Sequence, residues 1–282
     1  GTEVAVGDLL KGIIIQSGND ASVAIAEYIA GSEDAFAEMM NQQAQALGLT
    51  NTKFLNATGL PNENHYSTAE DLAQLTIALI KDHPEQYKLY SQRSYEFNDI
   101  AQPNRNKLLW RDRSVDGVKT GYTAAAGYCL VASAERNGVR LVSVVMGTDS
   151  DESRMRESQK LLSYGFRNFD TQTLYEAGVN LRQQDVYYGQ QEKVALGVTD
   201  DVIVTFPRGY YDDIEVEMAL AEYLEAPFPA GVAVGEINLT LDGEQIYSAP
   251  LVTLAEVGES NFFSRLGDSI YLFYASMFSD DG

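Results

Sequence analysis

Cysteine and histidine are scarce in this 282-residue sequence. The single cysteine, Cys129, cannot form an internal disulfide. A thiol nucleophile would need a nearby base, but His65 lies in a polar stretch and His83 precedes a proline at a predicted helix end. We therefore expect Cys129 to be a small core residue of the apolar strand "GYCLVASA". We expect neither a metal nor a cofactor.

Basic residues are also few, because 20 Lys and Arg stand against 41 Asp and Glu, a formal net charge of −21. Nucleic-acid binding requires clustered basic side chains, so this composition argues against that class of partner. Simple electrostatic attraction to anionic lipid is disfavoured for the same reason. We interpret the acidic excess as a strongly solvated surface, with an acidic patch for a specific partner as the alternative.

Long apolar runs are missing as well. No window holds the roughly 18 or more apolar residues that a membrane-spanning helix needs. The chain begins with Gly1 and shows no signal-peptide pattern, so we expect that a leader was removed or the chain was cut. What remains is an ordinary folded composition, 45% hydrophobic, and a length sufficient for two domains.

The first part of the chain predicts several helices followed by a β-hairpin. "GDLLKGIIIQ" and "DASVAIAEYIAG" have apolar residues at helical spacing. Ser32 is placed to begin a third helix, and Ser67 with Glu70 to form the capping box of a fourth. Two β-branched runs around Asn137-Gly138 predict the hairpin. Helices interleaved with an antiparallel sheet indicate an α+β fold.

Helical patterns stop after about residue 171, where short runs separated by Gly, Pro and Asp-Gly predict an all-β domain. The last stretch, from residue 259, again has helical periodicity. One face of this helix carries apolar residues, namely Phe262, Leu266, Ile270, Phe273, Tyr274 and Met277. Such a helix is suited either to lying in a membrane surface or to docking on the β domain or another subunit.

Two short polar motifs are candidates for chemistry. "SGN" at 17–19 lies between two predicted helices; alone it is typical of a turn, although it can also display short polar side chains into a cleft. "KTG" precedes the hairpin, where Lys119 supplies a point cation for a carboxylate and Thr120 a hydroxyl donor. Gly121 leaves room for a ligand backbone beside the strand. Together these residues suit an extended peptide that ends in a carboxylate.

The pair of motifs, SGN and then KTG about a hundred residues later, resembles the penicillin-binding fold. The flanking "LLKGIIIQSGNDASVAIAEYIAGS" and "QPNRNKLLWRDRSVDGVKTGYTAAAGYCLVASA" resemble the D-alanyl-D-alanine carboxypeptidases, the low-molecular-mass penicillin-binding proteins of peptidase family S11. The resemblance covers the whole chain. It implies a partial penicillin-binding, β-lactamase-like transpeptidase domain at 1–170, an all-β domain at 171–258 and an amphipathic anchor helix at 259–282.

The resemblance also implies a serine-type enzyme that removes the terminal D-alanine from peptidoglycan stem peptides through an acyl-enzyme, and that binds β-lactams. Ser17 is then implied to relay protons to the leaving amine, and Asn19 to bind the substrate amide. The residues implied to bind the carboxylate or to lie against the substrate are Lys119, Thr120, Gly121 and Tyr122, whose backbone N–H would form half of an oxyanion hole. Arg105 and Arg154 lie in matching contexts, and are implied either to pair with the carboxylate or to brace the site.

The S-x-x-K motif that carries the family's nucleophile does not occur, because no serine is followed three residues later by lysine. In the family this motif precedes SGN, which starts here at residue 17. We therefore expect the chain to begin inside the first domain and to be inactive alone. The alternative is a non-catalytic peptidoglycan- or peptide-binding protein that has lost its nucleophile, whereas the SGN motif and the added β domain fit a β-lactamase poorly.

The family's location implies a periplasmic protein, peripheral on the outer face of the inner membrane. The helix at 259–282 is implied to bind the membrane surface through Phe262, Phe263, Leu266, Ile270, Phe273 and Met277. Only Arg265 is basic, while Asp268, Asp280 and Asp281 are acidic, so we expect binding to depend on buried apolar area rather than on lipid charge.

Overall fold

The computed structural model describes residues 2–278, and the side chains of residues 2–274. The chain divides into two compact units, residues 1–167 and residues 168–282. The first mixes helices with an antiparallel sheet, and the second is built almost wholly from strands and ends in a helix. The α+β architecture predicted from the sequence is therefore confirmed.

Unit 1 contains short and medium helices. Their bounds are α1 Val6–Gln16, α2 Asn19–Ala30, α3 Glu33–Ala46, α4 Ala69–Asp82, α5 Pro84–Tyr87, α6 Leu108–Arg111 and α7 Asp151–Asn168. The local signals at two boundaries are confirmed: α2 ends at Gly31, whose φ of 82° suits glycine, and the Ser32 hydroxyl accepts a hydrogen bond from the Ala35 N–H.

The predicted capping box of α4 is wrong. Thr68, not Ser67, caps this helix by accepting a hydrogen bond from the Asp71 N–H. Asp71 is buried and also accepts bonds from the Asn51 N–H at 2.9 Å and the Thr52 hydroxyl at 2.6 Å. Ser67 is 2.8 Å from that same threonine hydroxyl. The loop that folds back onto Asp71 therefore uses Ser67 and shifts the helix start by one residue.

The sheet of unit 1 has the order β3-β4-β5, with β3 Val115–Thr123, β4 Gly127–Arg136 and β5 Val139–Thr148. A separate hairpin is formed by β1 Ser94–Phe97 and β2 Ile100–Pro103. The predicted Asn137-Gly138 turn joins β4 to β5, with φ values of 52° and 81°, as the tight hairpin requires. Alternate residues of β4 pack with α6 and α7 in a core that includes Leu108, Leu130, Ala132, Ala134, Met155 and Leu162.

Unit 2 is a β structure with its own core. Its strands are β6 Phe169–Tyr175, β7 Arg182–Tyr187, β8 Lys193–Gly197, β9 Val202–Pro207, β10 Glu215–Leu220, β11 Leu224–Glu225, β12 Ala233–Leu241 and β13 Glu244–Thr253. One sheet has the order β10-β12-β13-β8-β7-β11, and β6 pairs with β9. Strict alternation along β9 buries Val202, Val204 and Phe206 against Ile237, Leu239 and Leu251.

The last described element is α8, Phe262–Phe278, which contacts the rest of unit 2 through one side. The Asp268 carboxylate accepts a hydrogen bond of 2.7 Å from the Tyr188 N–H, and the Tyr271 ring stacks on Tyr187 at 5.8 Å. The opposite side is exposed, and its apolar residues include Phe262, Phe263, Leu266, Ile270 and Phe273. Met277 lies in α8 beyond the side chains that the structure describes. No helix within residues 2–278 combines the length and apolar character needed to cross a bilayer.

Candidate active site

A cleft of about 520 Å³ in unit 1 brings together all of the site residues predicted from SGN, KTG and their flanks. These residues are Ser17, Asn19, Arg105, Lys119, Thr120, Gly121, Tyr122 and Arg154. They come from the junction of α1 with α2, the loop after β2, strand β3 and helix α7. Among residues 2–278, no group of three or more His, Cys, Asp or Glu side chains is placed to hold a metal ion.

The junction between α1 and α2 displays Ser17 on a sharp turn. Ser17 ends α1 in the left-handed region, with φ 58° and ψ 45°, and its N–H donates to the Ile13 carbonyl. The Gly18 N–H donates to the Gly12 carbonyl, and α2 begins one residue later. A serine rarely adopts this conformation, so the turn is held by its surroundings rather than by local preference. No side chain caps α2, so the exposed Asn19 amide is not committed to that role.

Lys119 connects KTG to SGN. Its Nζ donates to the Ser17 hydroxyl and to the Thr120 carbonyl, the latter at 3.0 Å. Burial, followed by repulsion from Arg105 and Arg154, lowers the pKa of the Lys119 amine from 10.5 to about 8. No carboxylate among the described side chains forms a salt bridge with it. The cleft therefore contains a poorly solvated cation whose charge favours an anionic ligand.

The side chains of Arg105 and Arg154 donate hydrogen bonds to backbone carbonyls beside the two motifs. Arg154 is 6% exposed and donates from one nitrogen to the Gly121 carbonyl at 2.9 Å and the Cys129 carbonyl at 3.2 Å. Its other terminal nitrogen pairs with Asp151. Arg105 is exposed, and its Nε donates to the Gln16 carbonyl at 2.8 Å, directly before Ser17. Both side chains thus brace the two motifs while adding positive charge to the cleft.

Strand β3 is an edge strand whose open side is accessible to an extended ligand. Among the described strands it pairs only with β4, placing Gly121 opposite Cys129 and Tyr122 opposite Tyr128. A Cβ at Gly121 would lie no nearer than 3.9 Å to other atoms, so there is space above the strand. The exposed Tyr122 ring packs against Tyr128 with its plane tilted by 35° and the ring centroids 4.2 Å apart, and so forms an aromatic wall beside that space.

Cys129 is not a core residue, which corrects the prediction from its apolar neighbours. It is half-buried and lines the cleft, with its Sγ accepting a contact from the Gly147 N–H at 3.5 Å. The reason is strand alternation: Leu130 and Ala132 face the core, so Cys129 faces the other side of β4.

Sequence patterns also missed the loop at 57–60, which lines the same cleft. Asn56 shapes this loop, because its side-chain oxygen accepts bonds from the Thr58 and Gly59 N–H groups at 3.2 and 2.7 Å. The available signal was the Asn- and Gly-rich composition of this stretch. Composition predicts a loop here but does not indicate that the loop lines the cleft.

Known proteins resemble this chain in both units. A sequence model described as D-alanyl-D-alanine carboxypeptidase matches residues 1–150, and one described as Penicillin-binding protein 5, C-terminal domain matches residues 169–259. D-alanyl-D-alanine carboxypeptidase DacA of Haemophilus influenzae is 45% identical over 281 residues, which cover 99% of this chain and 72% of that protein.

Solved structures agree with the sequence matches. Penicillin binding protein 5 from Haemophilus influenzae is 45% identical, with a TM-score of 0.85 over 92% of this chain and 76% of that one. Penicillin-Binding Protein D2 from Listeria monocytogenes, solved in an ampicillin-bound form, is 34% identical, with a TM-score of 0.54 over 57% of this chain and 68% of that one.

The fold and the cleft thus define a penicillin-binding peptidase domain followed by a β domain. More narrowly, the chain belongs to the D-alanyl-D-alanine carboxypeptidase family, peptidase family S11.

Proposed function

We propose that this cleft serves a serine-type D-Ala-D-Ala carboxypeptidase, which removes the terminal D-alanine of peptidoglycan stem peptides. The observation that carries the proposal is the Lys119 amine. It is half-buried beside Arg105 and Arg154, without a carboxylate partner among the described side chains, at the open edge of β3. A peptide carboxylate supplies the missing negative charge, and the peptide backbone lies along β3 past Gly121.

The proposed reaction proceeds through an acyl-enzyme. A serine attacks the carbonyl between the two D-alanines, the terminal D-alanine leaves as an amine, and water then hydrolyses the ester. Ser17 passes a proton to the leaving amine, because its hydroxyl contacts an amine whose pKa, about 8, permits proton exchange near neutral pH. Asn19 binds the substrate amide, and the Tyr122 N–H stabilises the oxyanion.

The attacking serine has no counterpart in this sequence, since no Ser-x-x-Lys occurs in it. We therefore propose that the chain binds the substrate's carboxyl end but does not turn it over alone. The second candidate is a non-catalytic peptidoglycan- or peptide-binding protein that has lost its nucleophile and retains this cleft. An S-x-x-K encoded upstream of Gly1 in the gene would exclude that candidate.

β-Lactams are proposed as ligands of the same cleft, because they present a carboxylate beside a strained amide. The Listeria monocytogenes relative described above was solved with ampicillin bound, which supports this extension.

For the C-terminal part, we propose that residues 171–258 carry α8 and that residues 259–282 bind the outer face of the inner membrane from the periplasm. The exposed apolar side of α8 supports this, because exposed aromatic and aliphatic side chains gain from burial among lipid headgroups. Residues 1–170 would then form the peptidase domain.

A pair of peptides tests the proposed function on this chain. A short peptide ending in D-Ala-D-Ala and its C-terminal amide are titrated into ¹⁵N-labelled protein, and the shifts of the Lys119, Thr120 and Gly121 amides are followed. We expect the free acid to bind about tenfold or more tightly, because the amide lacks the charge that pairs with Lys119. Equal binding of both peptides, or shifts outside the cleft, would contradict the proposal.

A further inference from the structure

Ser17 and Lys119 lie 102 residues apart in the sequence, yet their side chains are in contact. They belong to different elements, the end of α1 and the middle of β3. One short segment, residues 103–107 from the last residue of β2 to the start of α6, touches both elements close to the two side chains. This segment, called here the bridging loop, has no role in the chemistry described above apart from the cleft-facing Arg105.

On one side, the bridging loop holds the last turn of α1. The Gln16 side chain donates to the Pro103 carbonyl at 2.6 Å. In return, the Arg105 N–H donates to the Ile15 carbonyl at 3.2 Å, and its Nε to the Gln16 carbonyl at 2.8 Å. Ile15 is fully buried, so this end of α1 is fixed in the core directly before Ser17.

On the other side, the bridging loop holds β3 through Asn106. This side chain is 1% exposed, and its Nδ2 donates to the Gly117 carbonyl at 2.9 Å. Gly117 precedes Lys119 by two residues, and a Cβ there would clash with the Tyr87 hydroxyl. The β3 backbone is therefore held between Tyr87 and the Asn106 amide. The Asn106 Oδ1 accepts from the Leu108 N–H at 3.2 Å, which fixes the direction of the amide.

We propose that Asn106 is a positioning residue. Its buried carboxamide holds β3 in the position that keeps the Lys119 amine hydrogen-bonded to the Ser17 hydroxyl. The catalytic importance of that contact rests on the proposed function, whereas the contact itself does not. Without the Nδ2 donor, the buried Gly117 carbonyl loses its partner, and β3 gains freedom to move away from α1. The Lys119 amine then moves toward solvent and toward the ordinary protonation behaviour of lysine.

Asn104 supplies a matched control. It is similarly buried, at 4% exposure, and its Oδ1 accepts from the Asn106 N–H at 2.8 Å. Its Nδ2, however, donates to the Gln92 carbonyl at 2.9 Å and not to β3. Asn104→Asp and Asn106→Asp each keep Oδ1, remove one buried donor and add one negative charge. Only Asn106→Asp removes the bond to β3.

The test is the pH profile of Lys119 acylation, measured by competitive labelling with acetic anhydride and mass spectrometry on the intact folded chain. In the wild type the Lys119 profile should have its midpoint at about pH 8. We expect Asn106→Asp to label Lys119 at least about tenfold more slowly at pH 8, because more of the amine is protonated. Asn104→Asp should stay within about twofold of wild type. Asn106→Ala, which adds no charge, should reproduce the slow labelling.

A wild-type Lys119 profile in Asn106→Asp and Asn106→Ala would overturn the proposal, as would equal slowing in Asn104→Asp. Loss of the folded state in both Asn106 variants but not in Asn104→Asp would also overturn it, because Asn106 would then support the fold as a whole. The measurement uses no substrate, so its failure leaves the peptide titration unaffected, and failure of that titration leaves this result standing.

Discussion

Replacing Lys119 by methionine should make unit 1 more stable at neutral pH while weakening the site. Burial and the neighbouring Arg105 and Arg154 disfavour the charged amine, which lowers its pKa from 10.5 to about 8. The unfolded chain has no such penalty, so it binds the Lys119 proton more tightly than the folded chain does. The folded state is therefore penalised below about pH 8, and the penalty disappears as the pH rises toward 10.5.

The size of this effect follows from the pKa shift. Each pKa unit corresponds to about 1.36 kcal/mol, so the penalty at pH 7 is about 3 kcal/mol. Methionine avoids this penalty but loses the hydrogen bonds to Ser17 and Thr120, which contribute about 1 kcal/mol each. We expect Lys119→Met to exceed the wild type by about 1 kcal/mol at pH 7. By pH 10 most of the wild-type penalty is gone, so the difference should shift in favour of wild type by about 2.5 kcal/mol.

The assay is urea unfolding at pH 7 and pH 10, followed by tryptophan fluorescence. The chain has one tryptophan, Trp110, and it lies on α6, so the signal reports on unit 1 separately from unit 2. Lys53→Met, at an exposed lysine of the same unit and outside the cleft, is the control for loss of a lysine side chain. A Lys119→Met difference that is the same at both pH values would refute the burial argument.

Three further predictions concern the missing nucleophile, the terminal helix and the β3 backbone. Incubation with a fluorescent penicillin should leave no covalent label on the denatured chain, since no Ser-x-x-Lys is present; a stable adduct would show that another residue of this chain is acylated. Liposome co-sedimentation should require residues 260–282 and should persist at high salt, because α8 presents apolar area and its segment carries little basic charge; equal partitioning without these residues would exclude the membrane role. Gly117→Ala should destabilise unit 1 by about 1–3 kcal/mol, because the added Cβ clashes with the Tyr87 hydroxyl. Combining it with Tyr87→Phe, which removes that hydroxyl, should recover part of the loss in urea unfolding. If the losses of the two single variants simply add in the double variant, the clash is not the cause.

The features that could be predicted from sequence are those set by neighbouring residues. Gly31 ends α2, Ser32 begins α3 and Asn137-Gly138 turns the hairpin, each because its own backbone preference suffices. The SGN and KTG motifs could be assigned to one cleft because their spacing and flanks resemble a known family. Neither motif alone indicated that Lys119 contacts Ser17.

The features that sequence could not give depend on contacts distant along the chain. Ser67 fails as a cap because Thr52, 15 residues earlier, bonds with it. Cys129 lines the cleft because α6 and α7 cover only the other face of β4, which its apolar neighbours do not reveal. Asn106 lies in a polar run with no periodicity, and its bond to Gly117 appears only once β3 is in place. Polar side chains buried by tertiary structure are thus the hardest to predict.

The central claim is that Lys119 holds the carboxylate of a peptide's last residue, and a cycle of four affinities tests it most directly. The D-Ala-D-Ala peptide and its C-terminal amide are each titrated into the wild type and into Lys119→Met, with heteronuclear NMR as the readout. The account predicts that the wild type prefers the free acid by about tenfold or more and that Lys119→Met loses this preference, a coupling of about 1.5–3 kcal/mol. An undiminished preference for the free acid in Lys119→Met would contradict the account.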